Sequence, residues 1–260
     1  MDPILIFLIL AFFFGTCVGS FLNVCIYRIP EKKSIVFPGS FCPVCRENIP
    51  FYCNIPIISF LILGGRCRSC RTRIPFRYPL VEIFTGCLAA AVAYKFGFSG
   101  QALVWFVFAC TLTVVSCIDL DHQIIPDIIS LPGTLIFGIL GFWVLELELK
   151  SIVLGIITGG GILYAVAAIY FLVKKEQGMG GGDIKLMAMI GALTGIKGAL
   201  FTIFAGSLLG SGIGILVLVS NKIINIRQKI PFGPFLSGGA LLYLFFGDEL
   251  IRWYFHTLSG

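Results

Sequence analysis

The chain has 260 residues, of which 58% are hydrophobic and 12% charged, with 19 Lys and Arg against 13 Asp and Glu. Soluble domains carry about 25% charged residues, so these charges cannot cover a water-soluble globule of this size. An ordinary cytosolic protein, a disordered chain and a soluble nucleic-acid binder are excluded. The net charge of +6 then reads as basic loops on the cytoplasmic side of a membrane.

A bilayer core takes about 20 apolar residues per helical span. The pattern predicts an all-α polytopic membrane protein of about eight spans. They are Ile4 to Ile26, Leu80 to Phe96, Ala102 to Ile118, Ile128 to Leu145, Ile152 to Val173, Ile184 to Ile196, Ala199 to Val219 and Phe232 to Phe246. The sixth reaches only about 20 Å at about 1.5 Å per residue. It is expected to extend at one end or to sit against a water-filled cavity. Met1-Asp2-Pro3 gives no basic region ahead of the first apolar run, and no clear small-residue cleavage site follows. A retained anchor is expected rather than a signal peptide. The domains predicted are 1–27, the first span; 28–79, a small zinc-binding cytoplasmic domain; and 80–260, the remaining transmembrane part.

Orientation follows from Lys and Arg. Residues 28–79 hold Arg28, Lys32, Lys33, Arg46, Arg66, Arg68, Arg71, Arg73 and Arg77, nine of the 19 bases, so this segment is expected in the cytoplasm and the N-terminus outside. Eight spans also place Lys174, Lys175, Lys222, Arg227 and Lys229 inside. Only Lys95, Lys150, Lys197 and Arg252 fall on or near the outer side.

Two knuckles, Cys42-Pro-Val-Cys45 and Cys67-Arg-Ser-Cys70, have the form of a four-thiolate zinc site. The cytoplasm keeps thiols reduced, which favours metal over disulfide. The alternatives are two redox-active pairs or free thiols. Residues 28–79 are too few and too Pro-rich to fold on an apolar core, so zinc would supply folding free energy. Cys17, Cys25, Cys53, Cys87, Cys110 and Cys117 read as small apolar residues.

Ionisable groups beside membrane helices are functional candidates. After solvated and loop-paired acids are set aside, Glu82, Asp119, Asp121, Asp127 and Asp183 remain. Asp119 follows the third span, and Asp183 closes Gly178-Met179-Gly180-Gly181-Gly182-Asp183. If they meet, two carboxyls sharing a proton can hydrolyse a peptide, one acting as base toward water while the other polarises the carbonyl. The glycines permit left-handed dihedrals or close backbone approach. Asp119 at a helix C-terminus is expected to hold the proton, and Asp183 at a helix N-terminus to ionise. The plainer readings are a helix cap for Asp127, loop roles for Asp121 and His122, and an ion pair with Arg73 or Arg77 for Glu82.

Several motifs occur in order: Gly19-Ser20-Phe21-Leu22-Asn23-Val24 with Arg28 and Pro30, the paired knuckles, Arg77-Tyr78-Pro79-Leu80-Val81-Glu82, Asp119 ahead of Ile125-Pro126-Asp127, Gly180-Gly181-Gly182-Asp183, and Pro231-Phe232-Gly233-Pro234. Over nearly the whole chain this set resembles the bacterial type IV prepilin peptidases, a GxGD aspartic protease family. The resemblance implies an inner-membrane enzyme with its active site at the cytoplasmic face. It would cleave the short basic leader of type IV prepilins and type II secretion pseudopilins, then methylate the new N-terminal residue with S-adenosylmethionine. It implies Asp119 and Asp183 as catalytic, with Gly180, Gly182 and Lys185 supporting their loop. Glu82, Asn23 and Ser20 become the methyl-transfer candidates, and Asp121 and Asp127 the candidates to receive the leader's positive charges. Substrate and lipid bilayer are the expected partners, with no nucleic acid. The competing readings are a peptidase whose cysteine domain is only a platform, an ion-coupled transporter using the same aspartates, and a membrane redox protein.

Overall fold

A computed structural model describes residues 2–176, 178–220 and 231–259. Lys222, Arg227 and Lys229, counted above as inside charges, lie outside the described residues. The elements are α1 (Pro3–Arg28), α2 (Ile58–Ile62), α3 (Arg77–Phe96), α4 (Gly100–His122), α5 (Asp127–Trp143), α6 (Leu149–Lys174), α7 (Gly181–Ser220) and α8 (Gly233–Ser259), with a 3-10 turn at Phe51–Cys53. Among the described residues extended pairing is limited to two single bridges, Phe41 with Asn48 and Arg66 with Arg73.

By length and composition five helices can cross a bilayer: α1, α3, α4, α6 and α7, and α5 and the apolar part of α8 are shorter. The chain is a multi-pass membrane protein. The α7 helix breaks at Gly195, which takes φ 65 and ψ −167, a conformation open to glycine and costly for other residues. The break falls at the predicted boundary between the sixth and seventh spans. The first half gains only three residues over the predicted span, from Ile184 back to Gly181. Its shortness has another reason: Leu186, Met187, Met189, Ile190 and Ala192 are fully buried. A helix surrounded by other helices need not match the bilayer thickness itself.

The helices form two compact units, residues 1–114 and 115–260. In the first, α1 lies on α3 with the backbones nearly touching. A Cβ on Gly15 would stand 2.6 Å from the Ala89 Cβ, and one on Gly19 would stand 2.8 Å from the Glu82 Cα. Small residues allow such packing in lipid, where dispersion and not the hydrophobic effect holds helices together. In the second unit α6 and α7 meet the same way. A Cβ on Gly155 would lie 2.1 Å from the Gly191 carbonyl oxygen. Thus glycines set the helix spacing in both units, and that spacing decides which short polar side chains can meet.

Candidate active site and metal centre

In the second unit Asp119 lies on the last turns of α4 and is 5% exposed. Its Oδ2 accepts the Gly233 N–H at 2.9 Å. Gly233 is the first residue of α8, whose initial N–H groups have no partner inside the helix. Pro234 next to it has no N–H, and Phe235 donates back to the Phe232 carbonyl. Asp119 therefore sits near the end of α4 and at the same time accepts from the first N–H of α8. Asp183 is the third residue of α7, with its N–H on the Gly180 carbonyl at 3.2 Å. The Asp119 carboxyl thus meets the α8 N-terminus and Asp183 sits in the first turn of α7, places where aligned peptide dipoles favour negative charge. They lie within electrostatic reach of each other. The expectation that the proton rests on Asp119 considered only the α4 end. The α8 N–H makes the two environments more alike than that.

Ile125 joins the two segments. A Cβ on Gly182 would stand 2.9 Å from the Ile125 Cβ, and one on Gly233 would stand 3.3 Å from the Ile125 Cδ1 and 2.7 Å from the Asp119 Oδ2. Gly180, Gly181 and Gly182 are not among the residues with positive φ. Of the two uses predicted for the glycine run, close approach is the one realised here, at Gly182. Lys185 donates to both carboxylate oxygens of Asp127, at 2.7 and 2.8 Å. Asp127 is the first residue of α5 and makes no capping bond there, so its carboxylate serves Lys185. Asp121 is exposed on the last turn of α4. Gly233 and Ile125 were given no site role by sequence reasoning. The only available signal was the presence of each in a motif shared with the family.

In the first unit the four cysteines of the knuckles converge, with all sulfurs within 4.8 Å of one another. The two knuckles are built alike. In one the Cys42 N–H donates to Glu47 and the Arg46 N–H to Cys42; in the other the Cys67 N–H donates to Thr72 and the Arg71 N–H to Cys67. Arg46 and Arg71 take matching left-handed conformations, φ 60 and 58. The N–H groups of Cys70 and Ser69 bring the Cys67 thiol down to about 7. At Cys45 the Glu47 N–H favours thiolate, but burial and the other three thiols outweigh it and push the thiol up to about 11. Four sulfurs this close ionise together only around a cation, and the cluster could hold a metal ion.

Ser20, Asn23 and Glu82 come together beside this centre. All three line a cavity of about 590 Å³ bounded by α1, the two knuckles, residues 53–63 and the start of α3. Glu82 is 8% exposed. Its Oε2 accepts the Ile57 N–H at 2.8 Å, with the Ser20 hydroxyl as a second donor. Among the described residues neither Arg73 nor Arg77 pairs with it. Asn23 is 4% exposed. It donates through Nδ2 to the Tyr78 carbonyl at 3.0 Å, while its Oδ1 is buried without a donor. Arg28, also buried, donates to the carbonyls of Ser34, Pro38 and Gly39 and fixes that loop.

The fold and these clusters define a polytopic helical membrane protein carrying an acid pair and a thiol clip. Residues 13–96 match the model of the bacterial peptidase A24 N-terminal domain, and residues 106–215 that of the type IV leader peptidase family. A prepilin leader peptidase/N-methyltransferase of Pseudomonas aeruginosa is 35% identical over 275 residues, covering 96% of this chain and 94% of its own. Proteins of the same description from Neisseria gonorrhoeae and Pseudomonas putida are 37% and 36% identical, each covering 94% of this chain and 92% of their own. No solved structure matches. The chain belongs to the type IV leader peptidase family.

Proposed function

We propose that this chain cleaves the leader of prepilins and pseudopilins with Asp119 and Asp183 and then methylates the amine so exposed. The placement of these two carboxyls within electrostatic reach of each other, Asp119 at the α8 N-terminus and Asp183 in the first turn of α7, carries the reading. One carboxylate takes a proton from water as the oxygen attacks the scissile carbonyl carbon. The other, protonated, donates to the carbonyl oxygen, and the leaving nitrogen recovers a proton as the C–N bond breaks. The helix N-termini stabilise the negative charge that passes through the pair. Gly180 and Gly182 shape the Asp183 loop, and Lys185 ties it to α5 through Asp127. The exposed Asp121 receives a basic leader residue. A transporter would hold its carboxylates near the bilayer midplane, whereas these stand at helix ends.

The thiol clip suits zinc. Zn–S bonds of about 2.3 Å in a tetrahedron place sulfurs about 3.8 Å apart, and the Cys42 and Cys70 sulfurs are 3.8 Å apart. Cys42, Cys45, Cys67 and Cys70 would hold zinc through all four of its positions, so its part there would be structural, tying the two knuckles that border the cavity. The cavity is of a size common for small-molecule sites. When bound, S-adenosylmethionine supplies the methyl group. Ser20, Asn23 and Glu82 are the residues placed to serve that transfer. The excess of bases in residues 28–79 supports a bacterial inner-membrane location with this segment and the acid pair at the cytoplasmic face and the N-terminus outside. The test is mass spectrometry of a prepilin incubated with purified enzyme and methyl donor. It should show loss of the leader and then a gain of one methyl group. An intact leader would refute the reading.

A further inference from the structure

Peptide hydrolysis frees one new nitrogen, and the cavity of the first unit has a wall suited to it. We propose that Glu82 and Asn23 form the receptor for the N-terminal ammonium of the cleaved chain, and that Glu82 takes the proton that must leave before the nitrogen can be methylated. This rests on the reading that the chain methylates its product.

The Gly19 contact sets the geometry. With no Cβ at Gly19, α1 approaches α3 at Glu82 itself. Ser20 and Asn23 then lie on the same cavity as Glu82 although their side chains are short. The wall is rich in acceptors, and among the described residues no cation pairs with Glu82. Glu82 holds only neutral donors, the Ile57 N–H and the Ser20 hydroxyl. Buried carboxylates are normally paired. Asn23 is more telling. Its bond to the Tyr78 carbonyl fixes the amide so that Nδ2 is used, and the buried Oδ1 is left with no N–H or O–H. Such an acceptor is destabilising if nothing ever fills it. A group with several N–H donors and a positive charge satisfies both residues at once, and a primary ammonium is that group.

Position supports the same ligand. Ser20 and Asn23 lie in the last third of the apolar α1, and Glu82 lies in the first two turns of α3. The receptor therefore stands near the ends of two membrane helices. The amine of a chain that begins with a membrane-embedded apolar helix reaches the same level. Apolar cavity residues such as Val24, Ile55, Phe60 and Leu63 can cover its first side chain.

The chemistry balances. The ammonium proton passes to the Glu82 carboxylate and the nitrogen lone pair is freed. The N–C bond forms while the donor's C–S bond breaks and leaves its electron pair on sulfur. Glu82 later returns the proton to water. Other titratable groups on the cavity are Tyr27 and Arg28 from α1, Tyr78 from α3, and Glu47, Cys53, Arg68 and Arg73 between them, together with the knuckle thiols Cys42 and Cys67. Among the described residues none of them is a partner of Glu82.

The experiment uses the full-length zinc-loaded enzyme and a peptide that begins at the mature N-terminus, with the amine free or acetylated. Without methyl donor, the wild type should bind the free amine at least about tenfold more tightly. Glu82→Gln should remove that preference, and Asn23→Ser should reduce it. With donor, Glu82→Gln should lose about 10²-fold in methylation rate at pH 6.5, within the usual range for a general base. It should recover about tenfold per pH unit up to about pH 8, where an α-amino group deprotonates unaided. Zinc content and unfolding temperature check that each variant is folded. A wild type that binds both peptides equally would overturn the proposal. So would a Glu82→Gln enzyme with an unchanged pH profile, or one that loses S-adenosylmethionine affinity while keeping its amine preference. If the wild type methylates nothing, the methyl-transfer reading fails, and the binding comparison still decides the amine receptor.

Discussion

Gly233→Ala tests how the acid pair is held. The added Cβ would stand 2.7 Å from the Asp119 Oδ2 and 3.2 Å from its Cγ. To reach van der Waals distance the carboxyl must retreat by roughly 0.5–1 Å. It cannot retreat and keep the 2.9 Å bond from the Gly233 N–H. Hydrogen bonds to charged groups contribute about 1.5–3 kcal/mol, and a catalytic group misplaced by about 1 Å can cost about 10²-fold. Cleavage kcat is therefore expected to fall about 10- to 10²-fold. KM should change little, because Asp121, the residue proposed to receive the leader, is untouched. The assay is steady-state cleavage of a purified prepilin in detergent, with unfolding temperature measured alongside. A Gly233→Ala enzyme with wild-type kcat would refute the claim that this close approach positions Asp119.

Other outcomes follow from the same structure. Cys67→Ser or chelation should release the metal and lower methyl transfer to background while leader cleavage persists, read by metal analysis and mass spectrometry of the product. Concurrent loss of cleavage would contradict the separation of the two sites. Gly155→Leu should destabilise the second unit by well over 1 kcal/mol, since overpacking already costs about 1–3 kcal/mol where the surroundings can shift and here the obstacle is the Gly191 carbonyl. Thermal unfolding in detergent reads this, and an unchanged midpoint would show that the helices part freely. Lys185→Met and Asp127→Asn should each change stability by under about 1 kcal/mol, because their pair is exposed. A double-mutant cycle with a larger coupling would show a stronger tie than solvent screening allows.

Much of the helical framework was legible because apolar runs are long and their interruptions are glycine, proline or charge. Even the break near Gly195 could be placed, since the runs on either side are separately apolar. The knuckles were legible because two Cys pairs fix their own spacing. What was hidden joins residues far apart in the chain. The bond from Gly233 to Asp119 crosses 114 positions, and neither residue announces the other. The glycine run before Asp183 suggested unusual dihedrals or close approach, but not that Gly182 lets Ile125 approach, a requirement set by a different helix connection. Asp127 looked like a helix cap because its neighbours in sequence are a proline and a helix. Its partner Lys185 lies 58 positions away. Glu82, Asn23 and Ser20 were singled out by motif, but the cavity that unites them depends on the α1–α3 contact at Gly19.

The central claim is that Asp119 and Asp183 together hydrolyse the leader bond. Purified Asp119→Asn and Asp183→Asn enzymes, each shown to be folded and metal-loaded, should cleave prepilin at least about 10³-fold more slowly than the wild type. Each should still methylate a peptide supplied with a free mature N-terminus. Cleavage within tenfold of wild type by either variant would contradict the account.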